Sequence, residues 1–529
     1  MNCLMNQLVT QSRHMTKSCA ETLMEIQYFM ARDFSLDPKL YMACRTEAQN
    51  LCNADENWIS HKMHGQYIFA CLSRNMYGDE ETENEDTISM VSDACADEIE
   101  RVLEQRAISV NLHPEIEDAC RYELTQNCAS AIEPGAEFQC LQDIYDQLGK
   151  ECHNAIQEYT EMEAKNAILN PVIASACHVT IDKECQEEVE RKDEGLVIQC
   201  LIKVREDQGS DGMDEKCSAA IEHWQIISLK DYRFSFKFKE ACRKDIASHC
   251  STDPQTNEVL RSKAEIVGCL SEIARNDVLT EKDPKTLSVP CLNQLQFQLL
   301  QKHSSIKLNP KVARSCSKAI KLYCPVGKGN VLECLKSLDH TKMSANCRMN
   351  VSFDEFLLLY PIMFVMKLLF SFQVFEEQQE EVLIDGVDHE LLIGCKHEIK
   401  NHCPKENEIN GILHCLKQTI QSSNVDFDRN CKLIINRRTN QQSKDYRLRP
   451  RLQRACERDL KHYCGDVLLH QGDKDTSKDF LEGQVIQCLQ AKLIADPDLV
   501  TPQCRHELSS VIRDEAHDYR ANVSLDEIM

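Results

Sequence analysis

The chain has 529 residues, 30 of them cysteine, and a formal net charge of −24. Hydrophobic residues make up 42% of the chain, which excludes a disordered acidic protein, and the 16 Gly and 14 Pro exclude collagen-like and low-complexity architectures. The abundance of Leu, Glu, Lys, Gln and Ala favours helices. The strong acidity disfavours nucleic acid as a partner and favours basic proteins.

The cysteines fall into seven groups of four, which predicts a repeat architecture. In every group the first two cysteines are eight positions apart, and a leucine follows the third. At five of the six junctions, 25 positions separate the fourth cysteine of one group from the first of the next. Cys3 and Cys19 fit the back half of an earlier repeat. The seven groups are Cys44, Cys52, Cys71 and Cys95; Cys120, Cys128, Cys140 and Cys152; Cys177, Cys185, Cys200 and Cys217; Cys242, Cys250, Cys269 and Cys291; Cys316, Cys324, Cys334 and Cys347; Cys395, Cys403, Cys415 and Cys431; and Cys456, Cys464, Cys488 and Cys504.

Each repeat is predicted to contain about three helices. In five repeats a proline lies six positions before the first cysteine, where it suits the first turn of a helix, and the residue four positions after that cysteine is apolar in all seven. A first helix is therefore predicted from near the proline to near the second cysteine. A second helix carries the third cysteine, with an apolar residue three positions before it except in repeat 2, where Phe138 substitutes for Glu137. A third helix follows the fourth cysteine, as the spacing of Ile221, Trp224 and Ile227 indicates.

Helical geometry narrows the disulfide pairing within a repeat, for which four cysteines allow three arrangements. Residues eight apart on one helix have Cα atoms about 12 Å apart, whereas a disulfide needs about 7 Å or less, so the first and second cysteines cannot pair. Of the two remaining arrangements we favour the nested one, first with fourth and second with third, because the second helix returns antiparallel to the first. First-to-third pairing would contradict this prediction. Cys3 and Cys19 would lack partners.

We therefore predict an all-α fold of disulfide-stapled helical repeats stacked as an elongated solenoid, because one such repeat is too small to be stable alone. The predicted division is residues 1–37, the back half of a truncated repeat; 38–113, 114–170, 171–235 and 236–309, repeats 1 to 4; 310–388, repeat 5 with an anomalous apolar insert at 351–373; 389–449, repeat 6; and 450–529, repeat 7 and the start of the next connector.

No metal, cofactor or catalytic site is expected. No two cysteines lie closer than eight positions, unlike the short spacings of structural zinc sites, and their large, even number indicates disulfides formed in an oxidising compartment. The motifs of zinc proteases, serine hydrolases and P-loop enzymes are absent. His249, His402 and His462 lie near second cysteines, and we interpret them as exposed helical residues. The sequence thus favours a protein that is not an enzyme.

Three further features bear on recognition. The acidic run at 79–86 is interpreted as a solvated loop. The N-glycosylation pattern occurs at Asn350 and at Asn522, and Asn522 is the candidate site. A basic cluster precedes the last repeat and could bind sulfated glycans in an extracellular setting, although acidic neighbours dilute it. This cluster comprises Arg437, Arg438, Lys444, Arg447, Arg449, Arg451 and Arg454.

The eight-residue cysteine pair, the Cys-Leu step, the 25-residue connector and the Asp-Tyr-Arg motif that begins at Asp231, Asp445 and Asp518 resemble the Golgi apparatus protein 1 family. This family is also described as cysteine-rich fibroblast growth factor receptors and as E-selectin ligands. The resemblance extends from Cys3 to the end of the chain. It implies a Golgi membrane glycoprotein with a lumenal array, partly at the cell surface or secreted, that binds fibroblast growth factors and other secreted cargo and affects their trafficking. No family binding residue can be carried over.

Two other functions remain open from the sequence. A glycan-bearing adhesion scaffold of the selectin-ligand type would need more acceptor sites than two. A saposin-like lipid-binding array would need a different cysteine count per unit and a more apolar inner face than these charged helices provide. Because the family's array is longer and includes a signal peptide and a C-terminal membrane span that are not found here, we expect the chain to be an internal fragment or an incomplete gene model.

The connector after Cys347 is 23 residues longer than the others and contains an apolar run at 356–372. As a membrane span this run is short and interrupted by a proline and a lysine, and it would place the last two repeats in a reducing compartment. We interpret residues 351–373 instead as the translation of a retained intron, since both ends can be encoded by splice-site sequences. Removing them keeps the reading frame, restores the 25-residue spacing and deletes the acceptor at Asn350.

Overall fold

In the computed structural model, the described residues form helices joined by short turns. The β-structure in this part of the chain is one isolated bridge between Thr252 and Val259. The described residues are 15–54, 67–77, 91–131, 135–191, 195–208, 213–252, 259–280, 284–325, 331–338, 342–344, 347, 379–384, 387–406, 409–421, 427–465, 467 and 483–517.

In the described part of the chain the helices follow one another in a repeating order of first, second and third helix, except in repeat 5, where residues 348–378 are not described. A short 3-10 turn precedes most of the first helices. In chain order they are α1 (Lys17–Arg32), α2 (Pro38–Leu51), α3 (Ile68–Tyr77), α4 (Asp93–Arg106), α5 (Pro114–Ala119), α6 (Arg121–Gln126), α7 (Ala136–Asp143), α8 (Lys150–Lys165), α9 (Pro171–Glu184), α10 (Gln186–Glu190), α11 (Leu196–Gln208), α12 (Glu215–Ser228), α13 (Phe236–His249), α14 (Lys263–Leu279), α15 (Val289–Ser304), α16 (Pro310–Ser315), α17 (Ser317–Tyr323), α18 (Val331–Ser337), α19 (His389–Gly394), α20 (Lys396–His402), α21 (Ile409–Gln421), α22 (Arg429–Lys444), α23 (Pro450–Tyr463), α24 (Gln484–Ala495) and α25 (Pro502–His517).

The predicted first helix is present in every repeat. In repeats 1, 3 and 7 it begins at the proline and runs unbroken to the residue before the second cysteine, as α2, α9 and α23. In repeats 2, 5 and 6 it is interrupted at the first cysteine. The hydrogen-bond ladder nevertheless crosses this point, because Cys120 donates to the Ile116 carbonyl at 2.8 Å and accepts from the Leu124 N–H at 2.9 Å. The first and second cysteines therefore remain two turns apart.

The core of each repeat is built from the positions that the sequence pattern predicts to be apolar. The leucine after the third cysteine is 0% exposed in all seven repeats. In repeat 2, Phe138 is 1% exposed and packs in a cluster with Cys120, Cys152 and Ile156, which confirms that it replaces Glu137 in the core. The all-α, disulfide-stapled fold class is thereby confirmed.

The chain divides into two compact units. Unit 1 comprises Met1–Glu240 and Arg261–Lys263, and unit 2 comprises Ala241–Leu260 and Ala264–Met529. Within the described part of both units, no helix is long and apolar enough to span a membrane. The insert at 351–373, with its apolar run, lies outside the described residues, so its interpretation as a retained intron stays a prediction.

Two glycines allow consecutive repeats in unit 1 to pack closely. Gly135 has φ +78° and Gly195 has φ +76°, both in the left-handed region that favours glycine. The Gly135 N–H donates to the carbonyl of Ile108 at 3.0 Å, at the end of the preceding repeat. A Cβ on Gly135 would lie 2.5 Å from Cγ of Pro171, the first residue of the next repeat. At Gly135, repeat 2 therefore contacts both the preceding repeat, through Ile108, and the following repeat, through Pro171.

The substitution Gly135→Ala should lower the free energy of unfolding by at least about 1–2 kcal/mol, since it adds left-handed strain for an L-residue to a clash with the Pro171 ring. Thermal unfolding followed by circular dichroism measures the effect. Gly465→Ala is the matched control, because nothing lies within 4 Å of its added Cβ, and it should change stability little. Equal unfolding midpoints for the two variants would contradict the packing role of Gly135.

Candidate functional site

The structure joins the cysteines of every repeat in the nested arrangement. In six repeats the outer disulfide links the first helix to the third, in repeat 5 it links the first helix to Cys347, and in all seven its Cα atoms lie 4.5–4.9 Å apart. The inner disulfide links the end of the first helix to the second, and its Cα atoms lie 5.8–6.1 Å apart. The outer pairs are Cys44–Cys95, Cys120–Cys152, Cys177–Cys217, Cys242–Cys291, Cys316–Cys347, Cys395–Cys431 and Cys456–Cys504, and the inner pairs are Cys52–Cys71, Cys128–Cys140, Cys185–Cys200, Cys250–Cys269, Cys324–Cys334, Cys403–Cys415 and Cys464–Cys488.

The two kinds of disulfide differ in burial and in the loop they close. All outer cysteines are at most 1% exposed, whereas the third cysteine of each repeat, in the inner disulfide, is only half-buried. The outer bonds span 31–51 residues and the inner bonds 10–24. From the loss of chain entropy in the unfolded state, each outer bond is expected to add about 4 kcal/mol to the free energy of unfolding and each inner bond about 3 kcal/mol. Cys19 is a half-exposed free thiol, and Cys3 lies outside the described residues.

An acidic side chain three positions after the first cysteine caps the third helix of the same repeat in five repeats. The Asp459 carboxylate accepts the Thr501 N–H at 3.1 Å and its hydroxyl at 2.7 Å. The Asp245 carboxylate binds Ser288 in the same way, at 3.2 Å and 2.7 Å. The other three caps are Glu47 with the Ser92 hydroxyl, Glu123 with the Gly149 N–H and Glu398 with the Asp428 N–H. A carboxylate at a helix N-terminus is favourable, so this contact reinforces the outer disulfide beside it.

Polar residues occupy two equivalent positions at each of the six junctions between the seven full repeats. The first position lies near the end of a third helix, and the second, seven residues later, directly precedes the next first helix. We call these residues the joint pairs. All of them are buried or half-buried, and their chemistry differs from joint to joint. They are Arg106 and His113, Glu163 and Asn170, Ser228 and Ser235, Lys302 and Asn309, Glu381 and Asp388, and Gln442 and Arg449.

A buried lysine bridges the joint pair Ser228 and Ser235 in unit 1. The Lys263 ammonium donates to the two hydroxyls at 3.0 and 2.9 Å. Burial lowers the pKa of Lys263 to about 7, and the described hydrogen-bond partners of the amine are neutral hydroxyls that do not compensate its charge. This joint therefore depends on a hydrogen-bonded amine rather than on an ion pair.

The joint pair Glu381 and Asp388 in unit 2 belongs to a buried ionic cluster. Arg438 binds both carboxylate oxygens of Asp388, at 2.7 and 2.8 Å, and it holds the pKa of Asp388 below its usual value although burial opposes this. The Lys336 ammonium bonds to Glu381 and, at 2.9 Å, to Glu333. The cluster joins the second helix of repeat 5 to the third helix of repeat 6.

Three of the seven residues in the basic cluster predicted from the sequence are paired with carboxylates. Arg438 is 4% exposed, and Arg437 binds Glu390 at 2.8 Å and Glu333 at 3.0 Å. Arg447 is paired with Asp445 at 2.6 Å within the connector turn. Two of the seven positions thus complete the buried ionic cluster, which the linear sequence cannot reveal because the carboxylates come from other segments.

In the described part of the chain, the remaining candidate residues do not form a metal-binding or catalytic site. His249, His402 and His462 are exposed, as predicted. The one grouping of metal-ligating side chains in the described ranges is Cys185, Glu188 and Cys200, and its two sulfurs are bonded to each other and offer no thiolate. The acidic run 79–86 and the acceptors Asn350 and Asn522 lie outside the described residues.

Comparison with known proteins identifies the repeat. A family model described as "Cysteine rich repeat" matches residues 17–80, 93–149, 150–209, 215–278, 290–342 and 429–494. Golgi apparatus protein 1 from Gallus gallus is 34% identical over 99% of this chain and 42% of its own length, and the Homo sapiens protein is 33% identical over 99% and 41%. The Caenorhabditis elegans homolog is 30% identical over 98% and 43%.

The chain thus spans about two fifths, 41–43%, of the length of these curated relatives. Their names place the chain in the Golgi apparatus, as the resemblance implied. No solved structure matches the chain.

Replacing the capping carboxylate should weaken a repeat measurably. Asp459→Ala leaves the Thr501 N–H and hydroxyl without their acceptor and should lower the free energy of unfolding by about 1 kcal/mol. Denaturant unfolding of the oxidised chain measures the change. Glu457→Ala on the same helix removes the same charge from an exposed pair with Lys461 and should have almost no effect. If both variants unfold alike, the cap contributes nothing.

Proposed function

The chain belongs to the cysteine-rich repeat family of Golgi apparatus protein 1, and from this premise we propose its function. We propose that it is a non-enzymatic array in the Golgi lumen that binds secreted growth factors of the fibroblast growth factor type and affects their trafficking. The proposal follows the function that the sequence resemblance implies for this family. What supports it further is the chemistry of the repeats.

The disulfide framework supports a lumenal position. The described residues contain fourteen disulfides, and such bonds form and persist in the oxidising secretory pathway rather than in the cytosol. With these cysteines bonded, their sulfurs cannot serve as nucleophiles or as metal ligands. The repeated residues therefore build the scaffold, and the segments between the cysteines, which differ in length and sequence from repeat to repeat, are free to vary for recognition.

The net charge of −24 is the main observation that supports a basic growth factor as the ligand. An acidic surface accelerates association with basic proteins and disfavours acidic ones. Seven repeats also offer several related surfaces on one chain, so that weak contacts can add through avidity. A sulfated-glycan site at the basic cluster forms no part of the proposal, because Arg437 and Arg438 are already bound to carboxylates.

The test is retention of purified growth factors by the recombinant, oxidised chain. A basic fibroblast growth factor should bind, and the affinity should fall by about tenfold or more when ionic strength rises from about 0.05 M to about 0.5 M. An acidic growth factor of similar size and the reduced, alkylated chain are the controls, and both should bind weakly. Failure of the oxidised chain to retain any basic growth factor would refute the proposal.

A further inference from the structure

Glu163 is a buried carboxyl at the joint of repeats 2 and 3, inside unit 1. It lies on α8 and is 1% exposed. Gln142 on α7 donates to its Oε2 at 2.5 Å, and Asn170, its joint partner, also bonds to it. Asn170 in turn caps the first helix of repeat 3 by accepting the Ile173 N–H at 3.0 Å. One carboxyl thus connects the second and third helices of repeat 2 to the start of repeat 3.

Among the described residues, no cation lies beside Glu163 to balance a negative charge. Its described hydrogen-bond partners, Gln142 and Asn170, are neutral amides, and the titratable group beside it is Tyr159 on the same helix. Glu381, at the equivalent position of repeat 5, faces Lys336 and Arg438 instead. Burial therefore raises the pKa of Glu163 to about 8 even though both amides favour the ionised form.

We propose that Glu163 is a proton-dependent switch of this joint, which is closed while the carboxyl is neutral and opens when it ionises. Ionisation leaves an uncompensated charge in the core, and the charge regains water only if α8 separates from Asn170. Opening also releases the Asn170 side chain, which caps α9, from its contact with Glu163, so the start of repeat 3 loosens with it. The proposal is independent of which ligand the array binds.

The sign of the pH dependence follows from linkage. The carboxyl binds its proton more tightly in the closed joint, where its pKa is about 8, than in the open one, where it has the ordinary value of 4.5. The joint is therefore most stable below the ordinary pKa and loses stability as pH rises through about 8. Between these values opening should increase about tenfold per pH unit. Acidification along a secretory route would stiffen this joint.

Hydrogen exchange of the whole oxidised chain, read by mass spectrometry and corrected for the intrinsic pH dependence of exchange, tests the switch. Protection of peptides from the end of α8 and the start of α9 should fall by about tenfold per pH unit from about pH 6 to about pH 8. Glu163→Gln keeps the shape of the neutral side chain, and its protection should not depend on pH in this range. Glu151→Gln, exposed on the same helix, should behave as the wild type.

A second measurement covers the case in which Glu163→Gln perturbs folding. Near neutral pH the infrared band of protonated carboxyls should be weaker in Glu163→Gln than in the wild type by the signal of one carboxyl, and unchanged in Glu151→Gln. Loss of this difference between the wild type and Glu163→Gln well below neutral pH would overturn the proposal. So would protection at this joint that is independent of pH, or that shows the same pH dependence in Glu163→Gln.

Discussion

The outer disulfide is the constraint on which each repeat depends. A unit of three short helices buries too little apolar surface to hold its own fold, and the bond between the first and fourth cysteines removes most of the alternatives that its unfolded chain would sample. Both sulfurs lie in the core at no more than 1% exposure, next to the fully buried leucine that follows the third cysteine. The carboxylate cap, three residues from the first cysteine, then fixes where the third helix begins.

The repeats are uniform inside and different where they meet. Glycine at Gly135 and Gly195 allows neighbouring repeats to approach closely, whereas the joint pairs differ: one contains a buried carboxyl, one is a pair of serines bridged by a lysine, and one belongs to a buried ionic cluster. Because buried charge and buried neutral acid respond to pH in different ways, the joints are not equivalent even though the scaffold is. An array of this kind can hold its disulfide framework constant while individual joints differ in stability.

The sequence predicted what is local or repeated at constant spacing. The helix starts at the prolines, the buried leucines and the exposed histidines follow from residue type and period, and the Golgi family follows from the cysteine spacing. Contacts across variable loops were missed. The acidic residue at the third position after the first cysteine was visible in five repeats, but its partner lies in a segment whose distance varies. Arg438 was interpreted as part of a cationic surface because Asp388, its bidentate partner, is 50 residues away.

Disulfide mapping under non-reducing conditions tests the central claim most directly. The native chain is alkylated, digested without reduction, and its linked peptides are identified by mass spectrometry. In repeat 2 the nested framework requires peptides that join Cys120 to Cys152 and Cys128 to Cys140, and Cys19 should carry the alkyl label without prior reduction. Peptides that consistently join the first cysteine of a repeat to the third, such as Cys120 to Cys140, would contradict the framework from which the rest of the structure is built.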